Sequence, residues 1–163
     1  MLTAAVHKTP VGNLYLVSDD QVLIGAGFRS LRDLFERMDA ADANRELKEV
    51  KKIPVISDLI VDYFDGDISA LNAIKVRQPG SKFSQEVWKV MRKIPAGKTW
   101  SYSQLADRSG NSGATRAAGT VCGKNLIAPI IPCHRVVKSG GELGNYGYGV
   151  EIKEWLLTHE GAI

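Results

Sequence analysis

The stretch SYSQLADRSGNSGATRAAGTVCG, residues 101–123, holds two helix starts and two stops. Ser101-Tyr102-Ser103-Gln104 has the S-x-x-Q form in which the serine side chain and the glutamine side chain satisfy each other's backbone N–H groups, so a helix is expected from Tyr102, ending by Gly110. Asn111 or Ser112 can cap a following helix through ATRAAGTV, with Gly123 as its stop. Two short helices joined by the tight RSGNSG turn form a helix-turn-helix candidate. The second helix is thin: Ala114, Ala117, Ala118 and Gly119 are small, and Arg116 is its only charge. Such a helix can approach a nucleic-acid groove closely, and it can equally pack on a neighbouring helix.

Upstream, Phe83, Val87, Val90, Met91 and Ile94 fall on one face of a helix that opens near Ser81 and stops at Pro95 and Gly97. Residues 75–82, KVRQPGSK, read as a linker. Before it the chain reads as β-rich, with LTAAV, NLYLVS and VLIGAGF as strands and Pro10–Asn13 and Asp19–Gln21 as turns. A charged helix is expected over 30–52, and a second, VISDLIVDYF, opens after Pro54 and closes at Asp65-Gly66-Asp67. The whole reads as an α+β protein with an N-terminal domain over 1–80 and a mainly α domain over 81–163.

The chain has 163 residues, 44% hydrophobic and 24% charged, enough for a core without disulfides or a structural metal. The start MLTAAVHKTP lacks the basic and apolar blocks of an export signal, and no apolar run reaches a membrane span. We therefore expect a soluble protein without membrane partners. No basic nuclear-import run is present, so a prokaryotic cytoplasm is the expected address. Cys122 and Cys133 fit neither a C-x-x-C nor a zinc-finger spacing, and His7, His134 and His159 are too scattered to complete a ligand set, so neither metal nor cofactor is expected. Residues 1–80 carry 10 Lys+Arg against 12 Asp+Glu, and residues 81–163 carry 11 against 6. A polyanion would meet the second half, although a solvated surface explains the split as well.

Residues 130–137, IIPCHRVV, place Cys133-His134-Arg135 inside an apolar run. Polar groups so framed need partners or a task. Cys133 beside His134 suggests a thiolate with a histidine base, but neighbours in an extended segment point to opposite sides, so a turn or a bridging water would be required. Glu160 stands in the last turn of a helix, VEIKEWLLTHEGA, where the macrodipole disfavours a carboxylate. It can instead orient His134 and complete a Cys/His/Glu relay. That helix is expected to pack through Ile152, Trp155, Leu156 and His159. Asn125 follows the thin helix and can place its amide near the cysteine. Trp88, Trp100 and Trp155 read as core, Cys122 as packing. GTVCGKN is one residue short of a phosphate loop and lacks its Ser or Thr, and LGNYGYG has its glycines in the wrong order for a dinucleotide site.

The segments GKTWSYSQLA, RAAGTVCGKN, IPCHRVV, GNYGYG and KEWLLTHEG together resemble the O6-alkylguanine-DNA alkyltransferases, the methylated-DNA–protein-cysteine methyltransferases. The likeness is strongest over 83–162, and TPVGNLYLVSDDQVLIGAGF extends it upstream. It implies a ribonuclease H-like N-terminal domain, a winged helix-turn-helix-like C-terminal domain, and irreversible, single-turnover transfer of an alkyl group from DNA to Cys133. By the same resemblance His134 is the water-mediated base, Glu160 its orienting partner, Asn125 a support for the thiolate, and Tyr102 a donor to the guanine ring. Arg116 would fill the gap left by the everted nucleotide, with Tyr102, Ala114, Thr115, Ala117, Gly119 and Arg135 also at the DNA. Val136, Tyr146, Gly147 and Tyr148 would line the base pocket. The family often has Ser-Gly or Gly-Gly where this chain has Gly147-Tyr148, which removes a hydroxyl contact and adds a ring where alkyl groups enter.

The implied partner is double-stranded DNA bearing O6-alkylguanine, with O4-alkylthymine as a second candidate lesion. The protein would be a monomer, its assembly on DNA cooperative or not. Two rival functions remain at this stage. A module that binds alkylated DNA without transfer would have lost the cysteine present here, and a cysteine hydrolase would turn over with the same three residues.

Overall fold

Leu2–Thr9 (β1), Gly12–Asp19 (β2) and Val22–Gly27 (β3) form an antiparallel meander at the positions expected from the apolar pattern. Asp20 makes the β2–β3 turn with φ 55°, a left-handed conformation that Asp tolerates. The computed structural model describes all residues from Met1 to Ile163. It is an α+β fold, and its chain divides into two compact units: residues 1–79 with 126–130, and residues 80–125 with 131–163.

In the first unit the charged stretch 30–52 is not one helix. It breaks into Leu31–Arg37 (α1), capped by Ser30, and Ala40–Ala43 (α2), capped by Asp39, and then becomes a strand, Leu47–Glu49 (β4). β4 pairs in parallel with β1, a non-local bond ladder that helix propensity does not register. Ile56–Phe64 (α3) follows Pro54 as expected. The expected linker also contains sheet: Lys75–Val76 (β5) pairs in parallel with β3, so the order is β4-β1-β2-β3-β5. His7 Nε2 lies 2.8 Å from Ser57 Oγ, which sets α3 on the face lined by Ala5, His7, Leu14 and Leu16. Gly25 faces Leu34 and Met38, so α1 covers the opposite face, where a Cβ on Gly25 would lie 3.0 Å from the Met38 methyl. Asp19, Asp42, Arg45 and Arg77 tie β2, α2 and the end of β5 in a four-membered ion-pair network.

Residues 126–130, read from sequence within the C-terminal domain, complete this first unit. Ala26 N donates to Leu126 O at 2.9 Å, Ala128 N to Ala26 O at 3.1 Å, and Leu126 N to Gln78 Oε1 at 2.9 Å.

The second unit holds Lys82–Met91 (α4), Trp100–Ser101 (β6), Tyr102–Arg108 (α5), Thr115–Gly123 (α6), Val136–Val137 (β7) and Val150–His159 (α7). α5 starts where the capping box placed it, with both reciprocal bonds present. α6 starts later than expected. Its cap position is Ala114, with no side-chain cap bond, rather than Asn111 or Ser112. Trp88 Nε1 donates to Val121 O at 3.2 Å and ties α4 to α6. Trp88 is core, but Trp100 and Trp155 are only half-buried: the Arg108 guanidinium lies 4.3 Å from the Trp100 ring centroid, and Trp155 stacks on His159 at 4.7 Å. No helix is long and apolar enough to cross a membrane.

Candidate active site

Pro132 cannot donate a backbone hydrogen bond, and the chain after it tightens into a 3-10 turn, Cys133–Arg135, in which Arg135 N donates to Pro132 O at 2.9 Å. Three residues per turn spread consecutive side chains about 120° apart. Cys133, His134 and Arg135 therefore face three directions, and the segment is a turn, one of the two arrangements that the sequence reading required. The turn runs into β7, which pairs in parallel with β6, immediately before Tyr102.

Each direction meets a prepared partner. Asn125, buried behind the C-terminal end of α6, donates through Nδ2 to Cys133 Sγ at 3.3 Å and to Ile131 O at 2.8 Å. His134 is completely buried, with Nε2 2.8 Å from Glu160 Oε2. Glu160 follows α7 and is also fully buried. Its carboxyl is held at about 2; burial alone would raise it, and the His134 and Arg135 side chains overcome that. An ionised carboxylate only accepts, so Nε2 carries the imidazole proton, and Nδ1, which has no hydrogen-bond partner within the protein, carries the lone pair.

Arg135 departs from its expected place at the DNA. It is 3% exposed, its Nε and Nη2 donate to the two Glu160 oxygens at 2.8 and 3.1 Å, and its Nη1 donates to Ile94 O at 2.8 Å. A guanidinium with these three donors committed inside the protein cannot reach a phosphate.

Tyr102 opens α5 with its ring between two glycines. A Cβ on Gly119 would lie 3.7 Å from Tyr102 Cδ1, and one on Gly144 3.6 Å from the hydroxyl. Burial, with smaller contributions from Cys122 and Cys133, pushes the phenol up to about 12, so it stays a donor at neutral pH. Cys122 is likewise pushed far above the ordinary thiol range, first by burial and then by Cys133, and remains a thiol.

Sequence reasoning missed Lys153. The buried face of α7 is Lys153, Leu156, Leu157 and Glu160; of the expected Ile152, Trp155, Leu156 and His159, Leu156 is buried and the other three are half-buried. Lys153 is 0% exposed, and its Nζ donates to Val136 O at 2.7 Å and to Asn145 O at 3.2 Å, joining β7 to the glycine-rich loop. Burial lowers its pKa, opposed by the neighbouring cysteines, Cys133 first. The signal was its position three and four residues before two buried leucines, on one helix face with Glu160.

In that loop Tyr146 and Tyr148 meet edge to face with centroids 5.7 Å apart, and Gly149 N donates to Tyr146 O at 2.9 Å. Gly147 is exposed between them. On α6, Thr115, Arg116 and Ala117 are exposed, Ala114 and Gly119 half-buried, and Ala118 buried. The structure thus makes two contacts, Asn125–Cys133 and His134–Glu160, on one three-residue turn with Tyr102 nearby, and leaves Arg116 on the open side of the thin helix. A thiol with a buried amide on its sulfur and a neutral, carboxylate-held imidazole beside it in sequence is equipped for nucleophilic attack.

Residues 82–162 match the family model described as the DNA binding domain of 6-O-methylguanine DNA methyltransferase. The methylated-DNA–protein-cysteine methyltransferase of Salmonella typhimurium is 38% identical over 157 residues, covering 94% of this chain and 92% of that protein. That of Methanosarcina acetivorans is 33% identical over 158 residues, covering 97% of each. The crystal structure of Mycobacterium tuberculosis OGT in complex with DNA is similar with a TM-score of 0.81 at 30% identity, over 98% of this chain and 93% of that one. By likeness along nearly its whole length, the chain belongs to the 6-O-methylguanine DNA methyltransferase family, the methylated-DNA–protein-cysteine methyltransferases.

Proposed function

We propose that this protein repairs DNA by taking the alkyl group of O6-alkylguanine onto Cys133, once per molecule. The observation that carries the reading is the Asn125–Cys133 contact beside the buried His134–Glu160 pair, in a chain of this family. Duplex DNA is the partner, as for the M. tuberculosis protein solved with DNA. Cysteine thiol loses its proton to His134 through a bridging water, the thiolate displaces the guanine oxygen at the alkyl carbon, and Tyr102 protonates the leaving ring. Nothing in the site would cleave the resulting thioether, so the acceptor is consumed.

The base is everted first, at a cost of a few kcal/mol, because its alkyl carbon is unreachable within the stack. Arg116, exposed on α6, fills the space it leaves, and the small residues Ala114, Thr115, Ala117 and Gly119 let the helix enter a narrow minor groove. The two-helix arrangement of α5 and α6 supports a winged helix-turn-helix reading, and the meander flanked by the parallel strand β4 supports a ribonuclease H-like one. The carbonyls of Val136 and Tyr146, held by Lys153 and by the Gly149 N–H, would take the guanine amino group. Gly147 supplies no hydroxyl, and the Tyr148 ring narrows the room for large alkyl groups. The protein acts as a monomer in a prokaryotic cytoplasm, with O4-alkylthymine as a further substrate to be tried and cooperative assembly on DNA a separate measurement.

Incubation with duplex carrying radiolabelled O6-methylguanine tests this. Label should move to the protein stoichiometrically, Cys133→Ala should abolish the transfer, and Arg116→Ala should slow the duplex reaction far more than that with free O6-benzylguanine. Repeated release of label to water would establish a hydrolase instead, and retention of label on DNA that the protein binds would establish a non-catalytic reader.

A further inference from the structure

Two side chains of different kinds hold the Glu160 carboxylate. Arg135 grips both of its oxygens, at 2.8 and 3.1 Å, and is itself fixed by its bond to Ile94 O. His134 shares Oε2 at 2.8 Å. The three side chains are between 0% and 4% exposed, so water screens none of these interactions.

Without the guanidinium, the buried carboxylate would lose its permanent counter-charge, and the nearest remedy would be a proton on the imidazole. An imidazolium has both nitrogens protonated and no lone pair with which to accept a thiol proton. Arginine is charged at every pH of interest and balances the carboxylate permanently. The ring can then rest neutral, its Nε2–H aimed at Oε2 and its Nδ1 lone pair free of protein donors.

We propose that Arg135 is a positioning residue for alkyl transfer: by neutralising Glu160 it keeps His134 a neutral base with its lone pair on Nδ1. The proposal rests on the reading of Cys133 as the acceptor. In the step it serves, the proton on Sγ moves to Nδ1, leaving thiolate and imidazolium. The S–C bond forms as the C–O bond breaks, the Tyr102 hydroxyl gives its proton to the guanine ring, and the imidazolium proton passes to the Tyr102 oxygen. One proton has then moved, net, from thiol to guanine, and the relay is restored.

The other charged group acting on the ring is Lys153 from α7; Arg92 at the end of α4 acts on Arg135, and Cys133 on Lys153. Lys153 acts with Arg135 in favour of the neutral ring, and Glu160 acts against them. Burial is the largest influence and also lowers the His134 pKa below its ordinary 6.5.

The test measures transfer from methylguanine duplex against pH, together with the 15N shifts of the His134 ring, in the full-length protein. Replacing Arg135 by Met should leave His134 protonated at neutral pH, move the rising limb of the rate profile upward by at least about one pH unit, and slow transfer at pH 7 roughly tenfold. Arg135→Lys should recover part of the shift. The double variant Arg135→Met/Glu160→Gln, which leaves no buried charge in the pair, should bring the rising limb back to its wild-type pH and the 15N shifts back to a neutral ring, at a lower rate because the relay has lost its carboxylate, and carries the test if the single variant does not fold. Uniformly slower transfer with an unmoved profile and unmoved 15N shifts would overturn the proposal, as would a shifted profile in the double variant. If wild-type protein moves no label to Cys133, the acceptor reading fails instead, while the ring shifts still report whether Arg135 sets the His134 state.

Discussion

Lys153 sits where a lysine is rarely found, with no exposed surface, and its ammonium is satisfied by two carbonyls that belong to separate stretches of chain. It holds the Val136 carbonyl and the Asn145 carbonyl in fixed relation, so the loop that should cover a base is anchored to the strand that follows the cysteine. Lys153→Met keeps most of the stem's packing and removes the donor. We expect a loss of about 1–3 kcal/mol in urea unfolding, the cost of removing the donor from the buried Val136 carbonyl, and faster hydrogen exchange over residues 144–149. Arg is too broad and too rigid a fork for the same space and should not rescue. Cys133, His134, Asn125 and Glu160 were legible as residues because their types suit a thiol relay and their setting suits a known family. Arg135 was legible only as a charge. Whether it faces solvent or Glu160 depends on the direction it leaves a three-residue turn, which no local pattern specifies.

Among the elements, α5 and α6 behaved differently under the same reading. The α5 start was exact to the residue because its cap is made by its own side chains, Ser101 and Gln104. The α6 start was displaced to Ala114 because no cap side chain holds it, and Asn111 and Ser112 remain in the preceding turn. The helix is thin for a reason visible at Gly119, which lies against the Tyr102 ring. Gly119→Ala places a methyl at ordinary contact distance and should raise the melting temperature, as removal of a mid-helix glycine is worth about 0.5–1 kcal/mol. Gly119→Leu should instead push on Tyr102 and slow transfer on duplex DNA while the protein stays folded; equal transfer rates in the two variants would refute the packing role. The strands β4 and β5 escaped notice because two or three residues carry no detectable period, and their pairing partners are far away in sequence.

At the level of the whole molecule, the two units are not two contiguous segments. Residues 126–130 leave the second and hydrogen-bond beside β3 in the first, and all five are buried. A cut at the composition boundary near residue 80 would therefore strand this apolar segment on the wrong fragment and strip Ala26 and Gln78 of their partners. Residues 1–79 and 80–163 expressed apart should each lose cooperative thermal unfolding by circular dichroism; two sharp, independent transitions would show that the crossing segment is dispensable. What the sequence determined by itself was written in neighbouring residues: the meander with its turns, the start of α5, the α+β class, and the candidate thiol, imidazole and carboxylate. Only the tertiary structure decided which face of α7 turns inward, that Arg135 and Lys153 are buried, and where residues 126–130 belong. Those outcomes depend on buried charges finding counter-charges and carbonyls from distant parts of the chain, and the energy of such a pairing exists only once both partners are in place.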